Sequence, residues 1–185
     1  MSDGFLISTY RAGDRDEVAR IWESWLHSPG EWNPPHVAIA RQQGVQPDGF
    51  LVGRIDNRAV ATCVVGYDGV RGWLYRLAVE PRERGKGYGR KMVERAEEYL
   101  RDLGCPQVNL QVRSENEGVV GFYKQLGYYQ QGHASIAKVL YNGATADSTS
   151  EQALLEMAVD EEIRLTEFRS PIPTNTSNSN AGSIP

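Results

Sequence analysis

An α/β domain with a mixed central β-sheet flanked by helices is the fold class this sequence predicts. Three observations point to it. Apolar runs of strand length alternate with stretches of helical period between residues 5 and 141. The run Arg84-Gly85-Lys86-Gly87-Tyr88-Gly89 links the apolar segment Leu74–Val79 to a helix carrying Met92, Val93 and Ala96. A chain of 185 residues with 40% hydrophobic content holds one ordinary core, which makes a single domain the expectation.

Taken in order, Phe5–Tyr10 reads as a first strand. Asp14-x-x-Glu17 gives a capping-box signal for a helix through Trp25, with Val18, Ile21, Trp22 and Trp25 on its apolar stripe. Ser28-Pro29-Gly30 and Pro34-Pro35 interrupt the pattern, and a short helix is expected over Val37–Gln43. Phe50–Ile55 and Val60–Tyr67 are strands joined at Asp56-Asn57, and Asp68-Gly69 turns the chain into Trp73–Val79. Beyond the glycine run, Met92, Val93, Ala96, Tyr99, Leu100 and Leu103 keep helical spacing until Gly104. Val108–Val112 is the next strand, Gly118–Leu126 a helix stopped by Gly127, and Ile136–Tyr141 a last strand. Asn142–Ser150 is small and polar, a linker to an acidic amphipathic helix over about 151–168 with Leu155, Val159 and Ile163 at four-residue spacing. Ser170–Pro185, rich in Pro, Ser, Asn and Thr, is expected to be disordered. The terminal helix can pack on its own domain, join a second copy in a homodimer, or stay undocked; self-packing demands least.

The glycine run carries the most chemistry. Glycines without a Cβ let a ligand approach the backbone, and the amides that open the following helix lack intrahelical acceptors. An anion is their natural partner. Arg82, Arg84, Lys86, Arg90 and Lys91 crowd the same turn with Glu83 opposing them, although cations are unfavourable at the positive end of a helix dipole. In a chain of net charge −4, that concentration answers a multiply charged phosphate ligand. The spacing is neither a P-loop, since no Ser or Thr follows Lys86, nor the G-x-G-x-x-G dinucleotide fingerprint.

The pattern Arg84-x-x-Gly87-x-Gly89 after Leu77-Ala78-Val79-Glu80-Pro81 resembles the acetyl-coenzyme A signature of the GNAT (Gcn5-related) N-acetyltransferases. A second block, Asn116, Gly121-Phe122-Tyr123 and Leu126-Gly127-Tyr128, stands where that superfamily carries its asparagine, tyrosine and L-G-[FY] ending. The resemblance spans roughly residues 5–141 and, through Trp32-Asn33-Pro34-Pro35, Gly66-Tyr67-Asp68-Gly69 and Gly104-Cys105-Pro106, extends to the YpeA-like bacterial acetyltransferases, a match that supplies no acceptor. It implies a GNAT (acyl-CoA N-acyltransferase) fold over residues 1–141. It also implies transfer of acetyl from acetyl-CoA directly to an amine: a small amine, a peptide N-terminus or a lysine. A non-catalytic acyl-CoA-binding module of the same fold is the alternative.

By the same resemblance, amides from Gly85 to Gly89, Tyr88 included, hold the pyrophosphate with Arg84, Lys86 and Arg90 beside them. The backbone of Leu77, Ala78 and Val79 pairs with the pantetheine arm, and Asn116 is a coenzyme or sheet-splaying contact. Tyr123 is the acid for the departing thiolate. From spacing alone it would be a packing residue beside Phe122. The general base is not specified: relatives carry a glutamate where this chain has Trp73, and Glu80, Asp68, Tyr75 and Glu115 are the nearby options, with Glu80 taken as the candidate. Deprotonating a lysine at pH 7 costs about 4.6 kcal/mol against about 1 kcal/mol for an α-amine, so an acceptor of low amine pKa, or a base acting through water, is favoured. Glu31 and Trp32 in the loop His27–Pro35 are expected to edge the acceptor pocket.

Several classes are disfavoured. No run approaches the roughly 18 apolar residues of a membrane span, and Met1-Ser2-Asp3-Gly4 does not begin a signal peptide. Cys63 and Cys105 read as reduced thiols, and His27, His36 and His133 show no metal-ligand spacing. Mild acidity argues against nucleic-acid binding. The expectation is a cytoplasmic enzyme with acetyl-CoA as co-substrate and no metal.

Overall fold

The computed structural model describes residues 4–25 and 34–138. Nine regular elements follow in order: β1 (Leu6–Thr9), α1 (Arg15–Trp25), α2 (Pro35–Val45), β2 (Phe50–Ile55), β3 (Arg58–Tyr67), β4 (Gly72–Val79), α3 (Tyr88–Asp102), β5 (Val108–Leu110) and α4 (Glu117–Gln125) among the described residues. The strands form one sheet in the order β1-β2-β3-β4-β5. The first three pairings are antiparallel, and β4–β5 is parallel across the α3 crossover.

The central strands explain themselves. Phe50–Val52 and Ala59–Val65 are buried on both faces, and β-branched residues suit that environment. Asp56 and Asn57 take φ of 51° and 64°, the two-residue turn whose twist matches its flanking strands. Side-chain alternation then divides the core. Val18, Ile21, Trp22 and Ile39 of α1 and α2 pack with Phe50, Val52, Val64 and Ala78 on one face. Met92, Val93, Ala96 and Leu100 of α3 pack with Leu51, Val60, Cys63 and Leu74 on the other, joined by Tyr123 of α4.

Three sequence expectations are corrected. Asp14 and Glu17 do not form a capping box. Asp14 ends a 3-10 turn, accepts from the Arg11 amide at 2.7 Å, and makes a buried ion pair with Arg54. Glu17 reaches across to the Ala59 amide at 2.6 Å. A sheet amide outcompeted the helix terminus for that carboxylate. Next, β5 stops at Leu110 rather than Val112, where its pairing with β4 ends. Finally, residues 136–138 of the expected strand Ile136–Tyr141 are not strand and Ile136 is 92% exposed; Val139, Leu140 and Tyr141 lie outside the described residues. The terminal helix expected over 151–168 lies outside them too, as do Glu31 and Trp32.

Candidate active site

The site begins where the sheet stops being continuous. β4 pairs with β5 only from Gly72 to Leu74, against Val108 to Leu110. From Tyr75 to Val79, among the described residues, β4 keeps β3 on one side and has no strand on the other. A backbone edge of that kind offers unpaired amides and carbonyls to an extended ligand.

A bulge sets the direction of this free segment. Thr62 pairs with Ala78 and Val64 with Tyr75, leaving Cys63 opposite both Arg76 and Leu77. Arg76 takes φ of 49°, a conformation costing a non-glycine residue about 1–2 kcal/mol. A buried chain of bonds holds it. Trp22 Nε1 donates to Thr62 Oγ1 at 3.0 Å, and that hydroxyl donates to the Arg76 carbonyl at 2.9 Å. The Arg76 guanidinium lies 4.2 Å from the centre of the Trp22 ring, a cation–π contact strengthened by partial desolvation. Burial holds the Arg76 guanidinium below its usual pKa.

The glycine run continues from β4. A short 3-10 turn over Pro81–Glu83 precedes it. Gly85 and Gly87 take φ of 77° and 82°, and nothing lies within 4 Å of where a Cβ would stand on either. Lys91 N makes the first α3 bond, to the Gly87 carbonyl at 3.1 Å, which leaves the amides of Tyr88, Gly89 and Arg90 as first-turn donors. Gly89 differs from the other two. A Cβ there would stand in contact with the Phe122 ring at 3.4 Å, so Gly89 packs against α4.

Ion pairs brace the turn. Arg58 Nη1 donates to Glu80 Oε2 at 2.6 Å and its Nη2 to Glu83 Oε1 at 3.4 Å, while Lys86 Nζ donates to Glu83 Oε2 at 2.8 Å. Arg20 of α1 faces Glu80 Oε1 at 3.8 Å. The Lys86 bond lowers the Glu83 carboxyl and raises the Lys86 ammonium. Arg84 Nε donates to the Val79 carbonyl at 3.0 Å. Tyr88 is buried and stacks on Phe5 at 4.1 Å, so its backbone faces the turn while its side chain belongs to the core.

Tyr123 is 7% exposed and sits edge-on between Phe122 and Tyr128. Among the described residues no hydrogen bond engages its hydroxyl. Burial first, and the neighbouring Cys63 second, push its ionisation upward, so the phenol is a donor at neutral pH. Tyr128 is raised the same way and donates to Glu97 Oε1 at 2.8 Å. Burial pushes the Cys63 thiol up to about 12. Asn116 is the exposed N-cap residue of α4.

The structure thus brings together Leu77, Ala78, Val79 and the Arg84–Arg90 run along one strand–turn–helix path. Tyr123 shares an apolar cluster with Leu77 and Cys63. Sequence reasoning missed Arg58, Trp22, Thr62 and Arg76. For Thr62 one signal existed: a lone hydroxyl inside the apolar run Ala59–Val65. Arg58 and Arg76 carry no local signal, since their roles come from register. Among the described residues, no group of three or more His, Cys, Asp or Glu is placed to hold a metal, and no helix is long and apolar enough to cross a membrane.

Known proteins resemble this chain in sequence and in fold. An acetyltransferase of Yersinia enterocolitica is 36% identical over 135 residues, spanning 72% of this chain and 94% of its own length. Ard1 of Thermoplasma volcanium superposes with a TM-score of 0.61 at 21% identity, over 78% of this chain and 91% of that one. An aminoglycoside N-acetyltransferase solved in complex with CoA superposes at 0.58 with 14% identity, over 74% and 95%; these two show the shared fold. Residues 16–128 match the family model for the GNAT acetyltransferases. The chain therefore belongs to the GNAT acetyltransferase family and is an acyltransferase.

Proposed function

We propose that this enzyme transfers acetyl from acetyl-CoA directly to an amine, with both substrates bound at once. The observation that carries the reading is the strand-free β4 edge running straight into the glycine turn, where Arg84 Nε occupies the Val79 carbonyl. Strand-like pairing would hold an extended pantetheine arm along Leu77–Val79, and the amides of Gly85–Arg90 would receive the pyrophosphate. The open space at Gly85 and Gly87 supports that fit, as does CoA in the aminoglycoside acetyltransferase of the same fold.

Acetyl-CoA, when bound, supplies the activated acetyl thioester. The amine nitrogen forms the new C–N bond, the C–S bond breaks, and the departing thiolate, stabilised by a hydrogen bond from the Tyr123 hydroxyl, takes its proton from solvent. A phenol held protonated by burial suits that step, because it is a donor with no competing partner among the described residues. Cys63 supports direct transfer: a thiol raised to about 12 stays protonated, whereas an acyl-enzyme needs a thiolate. Glu80 has both oxygens facing guanidinium groups, which supports a bracing role. The acceptor's proton then leaves through water, and amines of lower proton affinity are favoured.

The test is CoA thiol release from acetyl-CoA by the purified chain with a panel of amines, and mass spectrometry of the product. Acetylated amine formed in step with CoA is expected. Binding is read separately: acetyl-CoA at a hundred times its Kd adds about 2.7 kcal/mol of stability, and salt should weaken that gain. Release of CoA without acetylated amine would reject the amine acceptor.

A further inference from the structure

A cleft of about 280 Å³ lies between the last turn of α2 and the sheet, lined by Gln46, Val64, Asp68, Trp73 and Tyr75 among others. It adjoins the bulge, because Val64 and Tyr75 are the last pair before Cys63 stands opposite two residues. Trp73 and Tyr75 stack with centroids 6.2 Å apart and planes within 14°, and Tyr75 is 49% exposed. They present aromatic faces along the strand that leads to the reacting centre.

Asp68 closes the far end. Its Oδ1 accepts from the amides of Val70 at 2.8 Å and Arg71 at 2.6 Å, and its Oδ2 accepts from Trp73 Nε1 at 3.2 Å. Those bonds hold the carboxyl below the usual range, the Arg71 amide contributing most, so the negative charge is permanent near neutral pH. Gln46 is fixed as well: its Oε1 accepts from the Tyr67 amide at 3.2 Å and its Nε2 donates to the Tyr99 hydroxyl at 3.4 Å. Among the described residues lining the cleft, Asp68 is the one charged side chain. Arg76, the cation next along β4, lies over Trp22.

We infer that the acceptor is a diamine or polyamine whose second ammonium group rests between Asp68 and the Trp73–Tyr75 faces while its reacting nitrogen reaches the bulge. This rests on the amine-transfer reading above and names its substrate class. An ammonium over aromatic rings beside a carboxylate gains from both. From Trp73 to Arg76 is three residues of strand, about 10 Å, within reach of a chain of several methylenes. A second positive charge on the same molecule also disfavours protonation of the reacting nitrogen, the direction an enzyme with no evident base requires.

The experiment compares 1,6-diaminohexane with hexylamine as acceptors for the full chain, with kcat/KM read by CoA release. Two equivalent nitrogens give the diamine a statistical factor of two. The expected preference is roughly tenfold or more, carried by a lower KM. Asp68→Asn, which keeps the turn's acceptor oxygen, and Trp73→Leu should each pull the ratio toward two. Equal acetylation of both amines after the factor of two, or a ratio unmoved by both variants, would overturn the inference and leave amine transfer standing. No CoA release with either amine, in protein whose melting temperature still rises with acetyl-CoA, would overturn the inference, and the wider amine panel then decides the amine-transfer reading. Should one variant fail to fold, the wild-type ratio and the other variant decide.

Discussion

The free half of β4 separates two neighbourhoods built on opposite plans. On the bulge side, Trp22, Thr62, Arg76, Cys63 and Tyr123 are buried or nearly so, and shape is fixed by short directional bonds. On the turn side, Arg58, Lys86, Gly85 and Gly87 are exposed around Glu83, and shape is fixed by backbone conformation and solvent-screened ion pairs. A buried bond is expensive to break and insensitive to salt. An exposed ion pair is worth little and yields readily to a competing anion. Under the proposed acetyl transfer, the chemical step would use the first kind of rigidity and reversible phosphate binding the second.

The largest expected effect is on catalysis. Tyr123→Phe removes a hydroxyl without a partner among the described residues, so stability should barely change, while kcat falls about a hundredfold or more. Calorimetry should find acetyl-CoA affinity intact; an unchanged kcat would reduce Tyr123 to a packing residue. Thr62→Val comes next. It leaves Trp22 Nε1 and the Arg76 carbonyl unsatisfied in the core, a loss of about 1–3 kcal/mol, or about 2–4 °C of melting temperature per kcal/mol at this size. A Thr62→Val variant as stable as the parent would show that the bulge holds itself.

Alkaline pH tests the buried side as a whole. Cys63, Tyr123 and Tyr128 all titrate higher in the folded protein. The unfolded chain therefore ionises first. The stability they contribute is full below the unfolded pKa, 9.0 for the thiol, and is lost as pH rises toward the folded value of about 12. Melting temperatures recorded upward from pH 8 should decline through that window, and iodoacetamide should spare Cys63 in native protein at pH 8. The smallest effect belongs to the turn. Glu83→Gln should leave the melting temperature almost unchanged, since solvent screens its ion pairs, yet tighten acetyl-CoA binding at low salt by releasing Lys86. At 0.5 M salt the advantage should vanish, and its persistence would mean that the ion pair is not the competitor.

The same divide decides what could be read from the chain. The turn was legible, because glycine spacing and cations are local: Gly85 and Gly87 fall in the turn before α3, while Gly89 lies in the helix itself. So were the β2 limits, Phe50–Ile55, and the Asp56-Asn57 turn. The bulge was not, since nothing near Arg76 announces that one residue of β3 will face two of β4. Nor was the packing of Gly89 against the Phe122 ring visible, since the two lie thirty-three positions apart. Asp14 and Glu17 show the reverse error. Their spacing fits a helix cap, but Arg54 and the Ala59 amide, both distant in sequence, claim the carboxylates.

The parallel rung between β4 and β5 also has a meaning in time. β2, β3 and β4 are joined by tight turns and can zip as a meander, whereas β5 can dock only after the chain has travelled through α3. Loop closure over that distance is slower than hairpin formation. The implied order of assembly lays the meander first and seats β5 and α4 last, so amides of β2 and β3 should be the slowest to exchange with deuterium. Under the proposed function, a partly folded chain would then already own the strand assigned to the coenzyme while lacking Tyr123, and a nascent enzyme would bind before it could react.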